Sequence, residues 1–198
     1  MGPDPYNQFL EALNRPGTES SDFDLNPNVQ LPENRTLRPA AVLVPVQLLG
    51  SELRLILTKR ASGLKHHPGQ IAFPGGKVDA TDAGAEAAAL REAEEEIALS
   101  RQHVEVLGTL PCHETVTGFS VLPVLGLIRD EFLPRPEPGE VEEVFSVPLD
   151  HVTNPDRYSV QSRYWRGQRR YYYTVPFGPY YIWGATARIL RGLAERLN

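Results

Sequence analysis

Apolar and β-favouring residues run from Ala40 to Leu49 and again from Leu53 to Thr58, with Gly50-Ser51 between them, which predicts a hairpin of two antiparallel strands. An Ala-rich stretch follows, ending near Ile97. It predicts a helix capped by Thr81 or Asp82, with Ala87, Ala88, Leu90 and Ile97 placed to pack. Val104 to Leu110, Val121 to Ile128, Val141 to Val147 and the Tyr-rich Arg169 to Val175 read as further strands, separated by Pro and Gly clusters. Ile189, Leu190, Leu193 and Leu197 recur at helical spacing, so a last helix is expected from about Trp183 to Leu197. Before the first strand, residues 1–36 are rich in Pro, Asn, Ser and Asp, with one amphipathic piece from Tyr6 to Leu13. The pattern therefore predicts an N-terminal arm with a short helix (1–36) and one domain (37–198), of α/β (α+β) class, with a mixed sheet between helices.

Glu92, Glu95 and Glu96 stand at i, i+3 and i+4 of the predicted central helix, so all three project from one face within about a turn. An acidic run is usually a solvated helix face. Two details favour a site instead: Arg91 can pair with Glu95 at i+4, and the helix follows a Phe73-Pro74-Gly75-Gly76 turn rather than a generic linker. Hard divalent cations take oxygen ligands and leave positions for water and phosphates, so such a face suits phosphoryl chemistry. Lys59, Arg60 and Lys65 lie upstream, where a solvated basic patch competes with an anion-binding role.

The stretch from Gly76 to Leu99 resembles the Nudix box, G-x5-E-x7-R-E-U-x-E-E-x-G-U, with U aliphatic. Gly76, Arg91, Glu92, Glu95, Glu96 and Leu99 fall in place. Asp82 stands where the first Glu is expected, one residue further from the Arg, and Ala98 replaces the second Gly. An Ala there is strained only if the helix ends in a left-handed conformation. Upstream, Ile56-Leu57-Thr58-Lys59-Arg60-Ala61, Lys65, Gly69 and Phe73-Pro74-Gly75-Gly76 resemble the signature of the coenzyme A pyrophosphatase branch, L-L-T-x-R-[SA]-x3-R-x3-G-x3-F-P-G-G. Lys65 for Arg keeps the charge and loses the bidentate fork. The segment Ile182 to Ala187 is also similar to that branch, so the resemblance spans roughly residues 38–197.

The resemblance implies a Nudix α/β/α sandwich and hydrolysis of coenzyme A or its thioesters to 3′,5′-ADP and 4′-phosphopantetheine or its acyl derivative, with Mg²⁺ or Mn²⁺. It implies Glu92, Glu95 and Glu96 as metal ligands, Arg91 orienting a neighbouring Glu, Gly75 and Gly76 allowing close backbone approach, and Arg60 and Lys65 binding substrate. A general base comes from the box itself or from Glu140-Val141-Glu142-Glu143, where Glu140 is the candidate; solvated charges at a strand edge are the alternative. A homodimer is an expectation from the family. Two other functions stay open: a Nudix hydrolase of ADP-ribose, a dinucleotide or a nucleoside triphosphate, and a silent nucleotide-binding module, against which the intact glutamates count. His66 and His67 fall within the signature, although exposed loop histidines are commoner. Tyr171, Tyr172, Tyr173, Tyr180, Tyr181 and Trp183 could hold an adenine, and the core reading is preferred.

Composition narrows the partners. A net charge of −5 with scattered basic residues argues against nucleic acid and leaves a small-molecule substrate. One cysteine, Cys112, permits no internal disulfide and suits a reducing compartment. No signal peptide or membrane span is apparent, and Arg196-Leu197-Asn198 is no peroxisomal address, so a cytoplasmic location is expected.

Overall fold

The computed structural model describes residues 5–32, 34–165 and 167–197. Helix α1 (Pro5–Leu13) leads to a short strand, β1 (Ser20–Ser21). Strands β2 (Arg38–Leu49) and β3 (Glu52–Arg60) form the expected hairpin, and Gly50 takes φ 63, the left-handed conformation that such a two-residue turn requires. Short strands β4 (Ile71–Ala72) and β5 (Gly75–Lys77) precede α2 (Ala85–Ile97). Next come β6 (Val104–Thr109), β7 (His113–Glu114), β8 (Phe119–Ile128) and β9 (Val141–Pro148). After them lie α3 (Leu149–Thr153), the hairpin β10 (Ser159–Trp165) and β11 (Gln168–Thr174), and α4 (Gly184–Leu197).

Strand β2 organises the main sheet: it runs parallel to β8 and antiparallel to β3 and β5. The sheet follows the order β1-β7-β8-β2-β3-β4, with β6 on β8 and β9 on β3, and β10–β11 form a separate pair. Side chains alternate across its two faces, as the period of a strand dictates. Val44 and Val46 of β2 and Leu53, Leu55 and Leu57 of β3 pack with Ile189, Leu190 and Leu193 of α4 and with Phe9 of α1. Ala41, Leu43 and Ile56 face the other way, onto Ala88, Ala89, Ala93 and Ile97 of α2. These small alanines let α2 lie close to the sheet. The result is the expected α/β/α sandwich around a mixed sheet.

Three local expectations are corrected. Neither Thr81 nor Asp82 caps α2: the helix starts at Ala85 behind Gly84 (φ 139), with no side-chain cap, because Asp82 is engaged elsewhere. Its packing residues include Ala89 and Ala93, while Ala87 and Leu90 are only half-buried. Strand β10 and helix α3 carried no sequence signal, since β10 is mostly exposed and lacks period-two alternation, and α3 is little more than one turn.

The N-terminal segment lies on this core. Phe9 is 1% exposed. The Arg196 guanidinium donates to the Leu13 and Arg15 carbonyls, and Arg15 donates back to the Arg196 carbonyl at 2.8 Å. Fully buried His113 joins Ser20 Oγ (2.9 Å) to Asp22 Oδ1 (3.2 Å), fastening β1 beside β7.

Candidate active site

The site is assembled where β5 meets α2. Gly75 (φ 153) sits so close to β2 that a Cβ would fall 2.5 Å from the Ala41 carbonyl oxygen, and a Cβ on Gly76 would fall 2.5 Å from Glu92 Oε1. The two glycines therefore let the backbone approach the neighbouring strand and a carboxylate of α2.

Glu96 is 5% exposed, and its Oε2 accepts the Gly75 N–H at 3.1 Å. Burial pushes its carboxyl up to about 7; the Gly75 bond opposes this and the nearby Glu92 adds to it. Glu92 is also raised, chiefly by burial, with Arg91 pulling the other way. Glu95 stays more exposed, with 58% of its side chain open, and accepts from Arg91 Nη1 at 2.9 Å. Arg91 is the hub. Its Nε and Nη2 fork onto Asp82 at 2.9 and 3.1 Å, its Nη1 reaches Glu92 at 3.1 Å, and its charged form is held by the Asp82 bond above all. Asp82 also accepts the Asp79 N–H at 2.8 Å, and these two bonds hold its carboxyl below the usual range.

Among the described residues, no three carboxylate or imidazole groups converge closely enough to form a ready-made metal cage. The donor set nevertheless fits a hard cation. Glu92 and Glu96 are oxygen donors beside one another, both held above the ordinary carboxylate range by burial, and Glu96 has one hydrogen bond to offset that cost.

The other sequence candidates fall unequally. Arg60 stands where the β3–β9 register slips; its charge favours ionised Glu96, and its buried Nε has no acceptor among the described residues. Exposed Glu140 lies near enough for its charge to add to the raising of both Glu92 and Glu96. Its neighbours are spoken for: Glu142 pairs with Lys59 at 2.8 Å and Glu143 accepts the Tyr180 hydroxyl. Lys65 and His66 are exposed and line neither cleft beside the site, whereas His67 lines both.

The larger part of what sequence reasoning missed lies in those clefts. One, of about 270 Å³, runs from Val42, the strand partner of Gly75, past Arg60 and Phe73 to Trp165, Tyr172 and Trp183. A second groove, of about 470 Å³, adjoins it through His67 and Arg163. The aromatic cluster is therefore split. Tyr173 and Tyr180 pack on the core as expected, but Tyr171 and Tyr181 are 42% and 44% exposed, and Tyr172 and Trp183 line the cleft. Tyr171, Tyr172 and Tyr173 belong to the β10–β11 hairpin, which is separate from the main sheet. Asn26 secures that hairpin, exchanging hydrogen bonds with the Tyr171 backbone at 2.8 and 2.9 Å, a role no local motif announced.

The model of the NUDIX domain matches residues 37–166. The chain belongs to the Nudix family. The uncharacterized Nudix hydrolase NudL of Salmonella paratyphi B is 46% identical over 166 residues, covering 84% of this chain and 86% of that protein. NudL of Salmonella newport aligns with the same figures. The crystal structure of the Nudix hydrolase RenU from M. smegmatis superposes with a TM-score of 0.51 at 22% identity, over 60% of this chain and 75% of that one, which is agreement of fold. The chain is thus a Nudix hydrolase, a pyrophosphohydrolase of a nucleoside diphosphate derivative, from a family that works with divalent metals such as Mg²⁺ or Mn²⁺. No helix among the described residues is long and apolar enough to cross a membrane.

Proposed function

We propose that this Nudix hydrolase cleaves the diphosphate of coenzyme A or its thioesters, water and substrate giving 3′,5′-ADP and 4′-phosphopantetheine or its acyl derivative. The observation that carries this is the placement of the upstream signature. Arg60 and Gly69 close a loop on each other, with Arg60 N–H on the Gln70 carbonyl (3.0 Å) and Gly69 N–H on the Arg60 carbonyl (3.1 Å). That closure sets the Arg60 side chain between the glutamates and the aromatic cleft, so a diphosphate at the glutamates meets a guanidinium and its nucleoside meets the aromatic wall.

Mg²⁺ or Mn²⁺ held by Glu92, Glu95 and Glu96 would supply charge neutralisation and a water acidic enough to attack phosphorus. The chain's own residues prepare for this. Arg91, anchored on Asp82, keeps Glu92 and Glu95 in place, and the Gly75 N–H fixes the rotamer of Glu96. Arg60 compensates charge on the diphosphate, and Glu140 receives the proton of the attacking water. The proposal includes a homodimer in the cytoplasm, with residues 37–198 as the catalytic domain and 1–36 as its arm.

The test is metal-dependent hydrolysis of coenzyme A beside dephospho-coenzyme A, ADP-ribose and a dinucleotide, with products resolved by mass. Preferential release of 3′,5′-ADP from coenzyme A supports the proposal. Coenzyme A left intact while the others turn over would exclude it.

A further inference from the structure

We infer that a second phosphate, a phosphomonoester carried on the nucleoside half of the substrate, is read by the cross-strand pair Arg163 and Arg170 of the β10–β11 hairpin. Lys65, the signature position, does not read it. This deepens the coenzyme A proposal and rests on it.

Arg163 and Arg170 are direct partners in the antiparallel register, so their side chains leave the same face of the hairpin, and both line the aromatic cleft with Arg60. The chain carries 25 acidic and 20 basic residues. Among the other described arginines, Arg35, Arg54, Arg91, Arg101, Arg129, Arg188 and Arg191 each pair with a carboxylate. Among the described residues, Arg60, Arg163 and Arg170 form no such pair. The acid on the cleft wall, Asp22, is already engaged, by His113 Nε2 at 3.2 Å and by the Val116 N–H at 2.8 Å.

Two donors in this group stand without partners among the described residues. The Nε atoms of Arg60 and Arg170 are buried and meet no acceptor among the described residues, and a buried donor left unpaired is costly. An anion entering the cleft removes that cost. The guanidiniums are also held in advance: Arg163 stacks 4.3 Å from the Trp183 ring centroid, and Arg170 lies 5.9 Å from those of Trp165 and Phe23. Arg60, Arg163 and His67 all line the cleft, and burial above all, with charge from both arginines, disfavours protonated His67. A ligand with its diphosphate at Glu92 and Glu96 thus runs past Arg60 and its base lies among Trp165, Tyr172 and Trp183. Its outer phosphate, an acceptor for forked donors, then meets Arg163 and Arg170.

The experiment measures kcat/KM for coenzyme A and dephospho-coenzyme A in wild type, R163Q, R170Q, the double variant and K65A, with calorimetric binding of 3′,5′-ADP and 5′-AMP alongside. The coenzyme A to dephospho-coenzyme A ratio is expected to fall by about ten-fold or more in the double variant, through KM rather than kcat. Wild type should bind 3′,5′-ADP more tightly than 5′-AMP, and the double variant should lose that preference. R163K and R170K, which keep charge without the fork, should recover part of it. A wild-type preference that survives in the double variant, or that disappears in K65A instead, overturns the inference and leaves the coenzyme A proposal standing. Absence of any wild-type preference for coenzyme A removes the proposal itself.

Discussion

Gly76 has no room for a methyl group, yet the atoms it would strike belong to the carboxylate end of Glu92 rather than to backbone. Gly76→Ala should therefore fold almost as well as wild type and lose about ten-fold or more in kcat, because the displaced carboxylate no longer meets the reacting phosphate with its partners. Steady-state kinetics beside a thermal melt checks this; a large fall in melting temperature with unchanged kcat would contradict it. Ala98 carries the opposite lesson. The last turn of α2 closes on it at φ 59 and ψ 29, and the Ala98 N–H reaches the carbonyls of Ala93 and Glu94. A left-handed Ala is strained where Gly is not, so Ala98→Gly should stabilise the protein by about 1 kcal/mol, read as a shifted denaturant midpoint.

At the scale of elements, the loop before α2 and the helix itself are tied by one guanidinium. Asp82, expected at the first acidic position of the box, does not cap the helix; it orients Arg91, which in turn holds Glu92 and Glu95. Asp82→Ala should lower kcat more than it raises KM, and Asp82→Glu should restore part of the loss, as a positioning role requires. The same scale shows what local pattern conveys. The β2–β3 hairpin was legible because apolar runs flank a Gly-containing two-residue turn, and α4 because its apolar residues keep helical spacing. Strand β10 was not, because its partner is β11 alone and most of its side chains face solvent, so no buried face imposes alternation.

For the molecule as a whole, the buried carboxylates link acidity to stability. Glu96 titrates near 7 in the folded protein and near 4.5 when exposed, so the folded state holds the extra proton between those values. Stability of the metal-free protein should then fall as pH rises from about 4.5 to about 7, by up to roughly 3 kcal/mol, and Glu96→Gln should flatten that slope. Denaturant titrations in chelator at several pH values test it; an unchanged slope in the variant would refute the assignment to Glu96. The sequence by itself determined the family, the helix that carries three glutamates and an arginine, and the glycine turn before it, because those residues interact over a few positions along one helix and one turn. Only the tertiary structure decided that Asp82 serves Arg91, that the tyrosine run divides between core and cleft, and that Arg60, Arg163 and Arg170 line one cleft with no acidic partner among the described residues. Those relations depend on burial and on cross-strand register, which chains of residues far apart acquire only when the sheet, the hairpin and the helices have packed.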